Sequence, residues 1–243
     1  LKEGWSPVVI AGRWNKENER SKITSESIYR YIYHPKNKSL ELYKLLARRK
    51  LKRGIVRKSR KQGRILNRTS IHERPDHINQ RLEVGHFEGD LIFHNQSKKL
   101  NAFTAIDRKT RYGIMLKNRT KNSAVVIEKI GARLGNWAKS ITFDNGAEFA
   151  YHNRLRDNYG MKTYFCDPGA PWQKGSIEHF NAMTRRLLPF KVLARDITQE
   201  MLDQVANTLN HRPRKSLDFL TPCEALKSGF QREITGCCTS NLT

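Results

Sequence analysis

Residues 140–149 read Ser140-Ile141-Thr142-Phe143-Asp144-Asn145-Gly146-Ala147-Glu148-Phe149. The first four suit a strand, and Asp-Asn-Gly turns the chain straight after it, so a carboxylate is left at the strand's end. Upstream, Lys121 to Trp137 carries Val125, Ile127, Ile130 and Leu134 at helical spacing. Downstream, a helix over Ala147 to Tyr159 leads into a strand over Met161 to Phe165. Further upstream lie three β-rich stretches, Val84 to His94, Asn101 to Asp107 and Arg111 to Leu116. Three consecutive strands followed by alternating helices and strands predict an α/β fold, a mixed sheet with helices on both faces.

The 243-residue chain has room for such a sheet plus a smaller appendage. Its 46 Lys and Arg against 23 Asp and Glu give a formal charge of +23, which calls for a polyanionic partner. At 37% hydrophobic residues the chain can still build a core, so global disorder is excluded. No run of ~18 apolar residues and no signal-peptide core is present, so the sequence reads as soluble, unsecreted and without a membrane partner. Cys166, Cys223, Cys237 and Cys238 form no C-x-x-C pair, and His72 and His77, with no cysteine pair nearby, read as no zinc site. That usage matches neither a zinc finger nor a disulfide framework and fits a reducing, cytoplasmic setting. Leu1 in place of Met reads as the start of a fragment, and nothing in the sequence accounts for the adjacent Cys237 and Cys238.

Charge is concentrated at the front. Residues 1–83 carry a net +14, and Ala47 to Arg68 holds eleven Lys or Arg and no acid. Such a run reads as a basic linker lying along phosphates, through Arg48, Arg49, Lys50, Lys52 and Arg53 among others. Before it, Ser6 caps a first helix with Pro7 at its first position and Val9, Ile10 and Trp14 as its apolar stripe. Thr24 caps a second helix, with Ile28, Tyr31 and Ile32 on the core side and Ser25, Ser27 and Arg30 on the polar side. Two short helices with a polar connection suit either an ordinary hairpin or a helix-turn-helix, and the basic run beside them favours the DNA-reading form. The expected organisation is a helix-turn-helix segment over 1–46, a basic linker over 47–83, and an α/β catalytic domain with C-terminal helices over 84–243.

Three carboxylates stand where strands end or helices begin: Asp90 beside Gly89 in the first strand, Asp144 at its turn, and Glu178 in the helix after Pro168-Gly169-Ala170-Pro171. Carboxylates from three elements can hold two Mg²⁺ ions ~3.5–4 Å apart for an in-line phosphoryl displacement. Spacing alone does not separate such a trio from capping or surface acids. The surrounding words are more specific: Gly89-Asp90-Leu91-Ile92, the 143–149 segment, and Pro171-Trp172-Gln173-Lys174-Gly175-Ser176-Ile177-Glu178.

These words resemble the DDE-type transposases and retroviral integrases of ribonuclease H-like fold, with 33 residues between Asp144 and Glu178. More narrowly, the chain resembles transposases of the bacterial insertion-sequence-30 family. The likeness includes Trp5-Ser6-Pro7, Ile28-Tyr29-Arg30-Tyr31-Ile32-Tyr33, Gly85-His86-Phe87-Glu88-Gly89-Asp90, Ala105-Ile106-Asp107-Arg108-Lys109-Thr110-Arg111 and Leu209-Asn210-His211-Arg212-Pro213-Arg214-Lys215. The resemblance implies that Asp90, Asp144 and Glu178 are catalytic and bind two Mg²⁺ ions, with Mn²⁺ able to substitute and no small-molecule cofactor. It also implies cleavage at terminal inverted repeats, attack of the freed 3′-hydroxyl on a new phosphodiester, and a homo-oligomer on double-stranded DNA. His179 and Ala147 depart from the family pattern, in which Asn usually follows the Glu and a basic residue often fills the second place. A DNA-binding relic without chemistry and a nuclease that does not join ends stay open as alternatives.

Around the trio, Glu178, Asn181 and Arg185 share one side of a helix, and Lys174 precedes it near an anion-favouring N-terminus, so all but the acid are expected at DNA. Trp172 is expected either to stack on a base or to pack its loop. Asp107 reads as a turn or ion-pair residue, and Thr221-Pro222-Cys223-Glu224 as a capping box.

Overall fold

Burial alternates along β1 (His86–His94): Phe87 and Leu91 face one side of the sheet, while Glu88, Asp90 and Ile92 face the other. In β2 (Ser97–Asp107), Phe103 and Ala105 match the first side, and Ala102 and Ile106 the second. The first face is covered by α4 (Ser123–Leu134) through Val126, Ile127, Ile130 and Leu134, and by α5 (Asn153–Tyr159) through Leu155. The second is covered by α6 (Gly175–Leu187) through Ile177, Phe180 and Met183, and by α7 (Gln199–Asn210) through Leu202, Ala206 and Leu209. The period-two pattern of the strands and the helical stripes thus select two cores on one sheet.

This computed structural model describes residues 3–46, 65–94, 97–188 and 197–229. The expected phosphate contacts at Arg48, Arg49, Lys50, Lys52 and Arg53, and the Cys237–Cys238 pair, lie outside them. With β3 (Gly113–Asn118), β4 (Ser140–Phe143) and β5 (Lys162–Phe165), the sheet runs in the order β3-β2-β1-β4-β5. Antiparallel pairing joins β1 to β2 and β2 to β3, and parallel pairing joins β1 to β4 and β4 to β5. Only β2 is reversed, which is the ribonuclease H-like arrangement. Gly113 lets α6 approach: a Cβ there would lie 2.1 Å from the Phe180 ring.

Contacts divide the chain into two units, Leu1–Lys58 with His211–Ala225, and Ser59–Asn210 with Leu226–Thr243. In the sheet unit, residues 65–83 pack instead of trailing as a linker. Phe165 N donates to Thr69 O at 2.9 Å, and Ile65, Ile71 and Ile78 are buried, with α3 (Asp76–Asn79) among them. Composition hides this because three isoleucines anchor a segment that is otherwise polar.

In the smaller unit, α1 (Pro7–Glu17) starts on Ser6, whose Oγ accepts from Val9 N at 3.4 Å, and α2 (Ser25–Ile32) starts on a Thr24–Ser27 capping box. The inward faces differ from the apolar stripes expected. Trp14 is 43% and Tyr31 58% exposed, while Pro7, Ala11 and Ile32 are buried. The small face of α1 turns inward because residues 211–225 pack on it: a Cβ on Gly12 would lie 2.1 Å from the Phe219 ring. Arg13 clasps Glu224 through two bonds of 2.8 and 2.7 Å, and Glu224 also accepts from Thr221 N at 2.7 Å in the expected capping box.

The Arg13 guanidinium holds the Glu224 carboxyl down at about 2. A lowered carboxyl contributes stability that is present above its unfolded value of about 4.3 and is lost as pH falls toward about 2. The pair is partly exposed, so its worth is discounted by solvent screening. The thermal midpoint should therefore fall with pH across that window in the native chain and less steeply in Glu224→Gln, as followed by circular dichroism.

Candidate active site

Parallel pairing sets Glu88 opposite Thr142, and carrying that register two residues on brings Asp90 beside Asp144. Between the two carboxylates lies the ammonium of Lys174, its Nζ 3.7 Å from Asp90 Oδ1 and 3.6 Å from Asp144 Oδ2. Lys174 also donates to Gly89 O at 3.2 Å and is only 6% exposed.

The Asp144 turn is braced on several sides. Phe143 and Phe149 stack with centroids 4.1 Å apart, and Gly146 N donates to Asp144 Oδ1 at 3.1 Å. The side chain of Asn145 donates to Cys166 O at 2.7 Å, and its carbonyl oxygen accepts from the Arg68 guanidinium. The strand-to-turn sequence thereby holds its acid at a fixed place.

Asp90 is held from the helix side. Asn181 Nδ2 donates to Asp90 Oδ2 at 2.8 Å, and Thr104 Oγ1 donates to Asn181 Oδ1 at 2.8 Å, which fixes the amide orientation. Burial pushes the Asp90 carboxyl above its ordinary value, Lys174 opposes this, and the neighbouring Asp144 charge adds to it. The site therefore favours additional positive charge.

A buried ion pair docks α6. Arg108 Nη1 and Glu88 Oε1 are 2.5 Å apart with side chains 6% and 1% exposed, and Glu88 Oε2 accepts from Ile177 N in the first turn of α6 at 3.1 Å. The same helix carries Glu178, which is exposed one turn beyond Lys174. Asp90 and Asp144 are thus brought together across Lys174, with Glu178 on the adjoining helix. Among the described residues, the three acids do not draw their oxygens within 4.8 Å of one another.

The residues expected at DNA fall into distinct environments. Lys174 and Asn181 turn inward and serve the carboxylates, because the first turns of α6 lie over β1. Arg185 is exposed on α6, and its charge reaches Asp90. Trp172 is 76% exposed and does not pack its loop. Instead Gln173 and Asp167 close that loop with bonds of 2.8 and 2.7 Å. In the smaller unit Ser25 is half-buried, Arg30 is exposed, and Ser27 uses its hydroxyl in the capping box, donating to Thr24 O at 2.7 Å. Asp107 is a turn residue: its Oδ1 accepts from Thr110 N and Thr110 Oγ1, both at 2.7 Å.

Period-two alternation puts His86 and Glu88 on the strand face of Asp90, within possible reach of the metal site; the structure instead pairs Glu88 with Arg108 and the Ile177 amide. Sequence reasoning missed the supporting roles of Thr104 and Arg108, whose partners depend on tertiary packing.

No family model matches the chain. Transposase InsI for insertion sequence element IS30C of Escherichia coli (strain K12) is 38% identical over 242 residues, 94% of this chain and 63% of that protein. The chain therefore spans less than two thirds of the length of that relative. The transposase for insertion sequence element IS4351 of Bacteroides fragilis is 33% identical, covering 93% of this chain and 70% of its own length. The transposase for insertion sequence element IS1086 of Cupriavidus metallidurans is 32% identical, covering 93% and 69%. Among solved structures, a chain of the simian T-cell lymphotropic virus intasome is similar at a TM-score of 0.45 and 17% identity, over 53% of this chain and 49% of that one. With two such transposases matched over more than two thirds of their length, beside the carboxylate pair on a ribonuclease H-like sheet, the chain belongs to the insertion-sequence-30 family of transposases.

Proposed function

We propose that this chain binds the terminal inverted repeats of an insertion sequence and carries out divalent-metal-dependent DNA strand cleavage and strand transfer. The observation that carries this reading is the pairing of Asp90 and Asp144 around the Lys174 ammonium, with Glu178 on the next helix. The donor set fits a hard divalent cation, because every ligand is a carboxylate oxygen. The ammonium lying between two of these acids marks a place that attracts positive charge. Asp90, Asp144 and Glu178 would hold Mg²⁺, or Mn²⁺ in its stead, which when bound activates the attacking oxygen and stabilises the leaving one.

The protein's own residues do the positioning. Asn181 and Thr104 set the direction of the Asp90 carboxylate, the Phe143–Phe149 stack fixes the Asp144 turn, and Glu88 with Arg108 seats the helix bearing Glu178. Trp172, just before that helix, and Arg185, in its last turn, are both exposed and available to DNA, as base-stacking and phosphate-binding groups respectively. The α1–α2 segment, with Ser25 and Arg30, reads the repeat, and the basic 47–64 stretch tracks phosphates. Joining two element ends requires more than one copy on the DNA. Among the described residues no helix is long and apolar enough to cross a membrane, and residence at the bacterial nucleoid belongs to the same proposal.

Nicking and strand transfer on supercoiled plasmid test this reading, with Mg²⁺ or Mn²⁺ supplied and Asp144→Asn and Glu178→Gln compared with the native chain. Activity should disappear in both variants while DNA binding persists. Binding without metal-dependent cutting in the native chain would instead identify a relic, and cutting without joining a nuclease.

A further inference from the structure

A second cluster of metal-ligating side chains lies at the start of β1, four residues before Asp90. His77 in α3, Glu83 before β1 and His86 at its start bring one ligand atom each to within 4.8 Å of the others. His77 Nε2 lies 3.6 Å and His86 Nε2 2.9 Å from the same oxygen, Glu83 Oε2. Asp90 is four residues along the strand from His86, about 13 Å at the rise of an extended chain, so this cluster is separate from the carboxylate site.

We propose that His77, Glu83 and His86 form a binding site for a first-row transition-metal dication of the Zn²⁺ type, with solvent as the fourth ligand. Ligand atoms around a tetrahedral zinc with bonds of ~2.0–2.2 Å sit roughly 3.3–3.6 Å apart. The His77–Glu83 separation of 3.6 Å already meets that spacing, and the His86–Glu83 pair needs to open by only a few tenths of an ångström. The surroundings orient the ligands as metal sites require. Lys139 Nζ takes the other oxygen, Glu83 Oε1, at 2.5 Å, which leaves Oε2 between the two rings. Ser140 Oγ lies 2.7 Å from His86 Nδ1 and can accept its proton, freeing the Nε2 lone pair. Two imidazoles and one carboxylate select zinc-like ions over the Mg²⁺ suited to the all-oxygen acids. A metal here would tie α3 to the first strand of the sheet.

The test is metal retention by the full chain, carrying no histidine tag, after Zn²⁺ loading and desalting, together with the visible absorption of added Co²⁺. His77 is exposed, so His77→Ala removes a ligand without opening the core. The expected result is about one ion per chain in the native protein and in Asp144→Asn, with affinity at least about tenfold weaker in both His77→Ala and Glu83→Gln. Equal retention in His77→Ala, loss of retention in Asp144→Asn, or no retention in the native chain would each overturn the proposal.

Discussion

Asp90→Asn is expected to reduce strand cleavage by on the order of a thousandfold or more, because several kcal/mol of transition-state stabilisation is at stake and each 1.36 kcal/mol is a factor of ten. Asn is nearly isosteric with Asp but supplies one neutral oxygen in place of a carboxylate, so it keeps the strand and removes a proposed metal ligand. The fold should survive. Burial already disfavours the Asp90 charge, and Lys174 retains Asp144 and the Gly89 carbonyl. Asn181→Leu separates orientation from ligation: it deletes the bond to Asp90 Oδ2 and leaves the Thr104 hydroxyl only the longer bond to Asp90 O, at 3.3 Å. A loss of about 10–100-fold is expected there, the range for partners that only orient a metal ligand. The two variants should thus differ clearly in plasmid nicking while both melt cooperatively. Equal activity in Asp90→Asn and the native chain would remove Asp90 from the chemistry altogether.

The largest effect on stability is expected from Arg108→Ala. Glu88 is 1% exposed, and its partner's removal leaves a buried carboxylate hydrogen-bonded to the Ile177 amide, with Arg74 and Arg111 acting on it only through space, a loss of about 3–5 kcal/mol. Arg108 also donates to Ile78 O at 3.3 Å and Asn79 O at 3.4 Å, so α3 loosens with it. For a unit of this size the thermal midpoint moves roughly 2–4 °C per kcal/mol, which predicts a drop of about 6–20 °C. Changing both partners to Met leaves no orphaned charge and should recover most of that drop. Differential scanning calorimetry of the two variants distinguishes a buried pair from a merely crowded site. Since Glu88 also anchors the start of α6, Arg108→Ala should weaken catalysis even below its melting point.

The sheet was legible from sequence because its strands alternate and its turns are signalled. The stretch read as a strand over 84–94 folds as His86–His94, and that read over 140–143 folds as Ser140–Phe143. Asp144 could be singled out because it stands between a strand and an Asn-Gly turn, whereas Asp90, in the middle of β1, was picked out by the words around it and their family resemblance. Lys174 could not be read correctly. A lysine before a helix looks like a phosphate ligand, and only the packing of α6 over β1 shows that its ammonium is buried between acids. Trp14 and Tyr31 mislead for a related reason. Helical periodicity identifies an apolar stripe, but the face that turns inward depends on the partner, here residues 211–225 against Gly12. The His77–Glu83–His86 cluster shows no cysteine-like spacing and is assembled by a short helix folding back on the strand.

The clasp between Arg13 and Glu224 joins residues 211 positions apart. On the ribosome, at ~5–20 residues per second, the second partner is made roughly 10–40 s after the first. For that interval the nascent α1 lacks the Phe219 ring to cover it, and its arginine has only Glu17 of the same helix as an acid partner. The smaller unit is therefore completed last, after the whole sheet has been synthesised. A prematurely terminated product lacking residues 211–225 would carry the five sheet strands and the N-terminal helices, yet those helices would be without the segment they pack on.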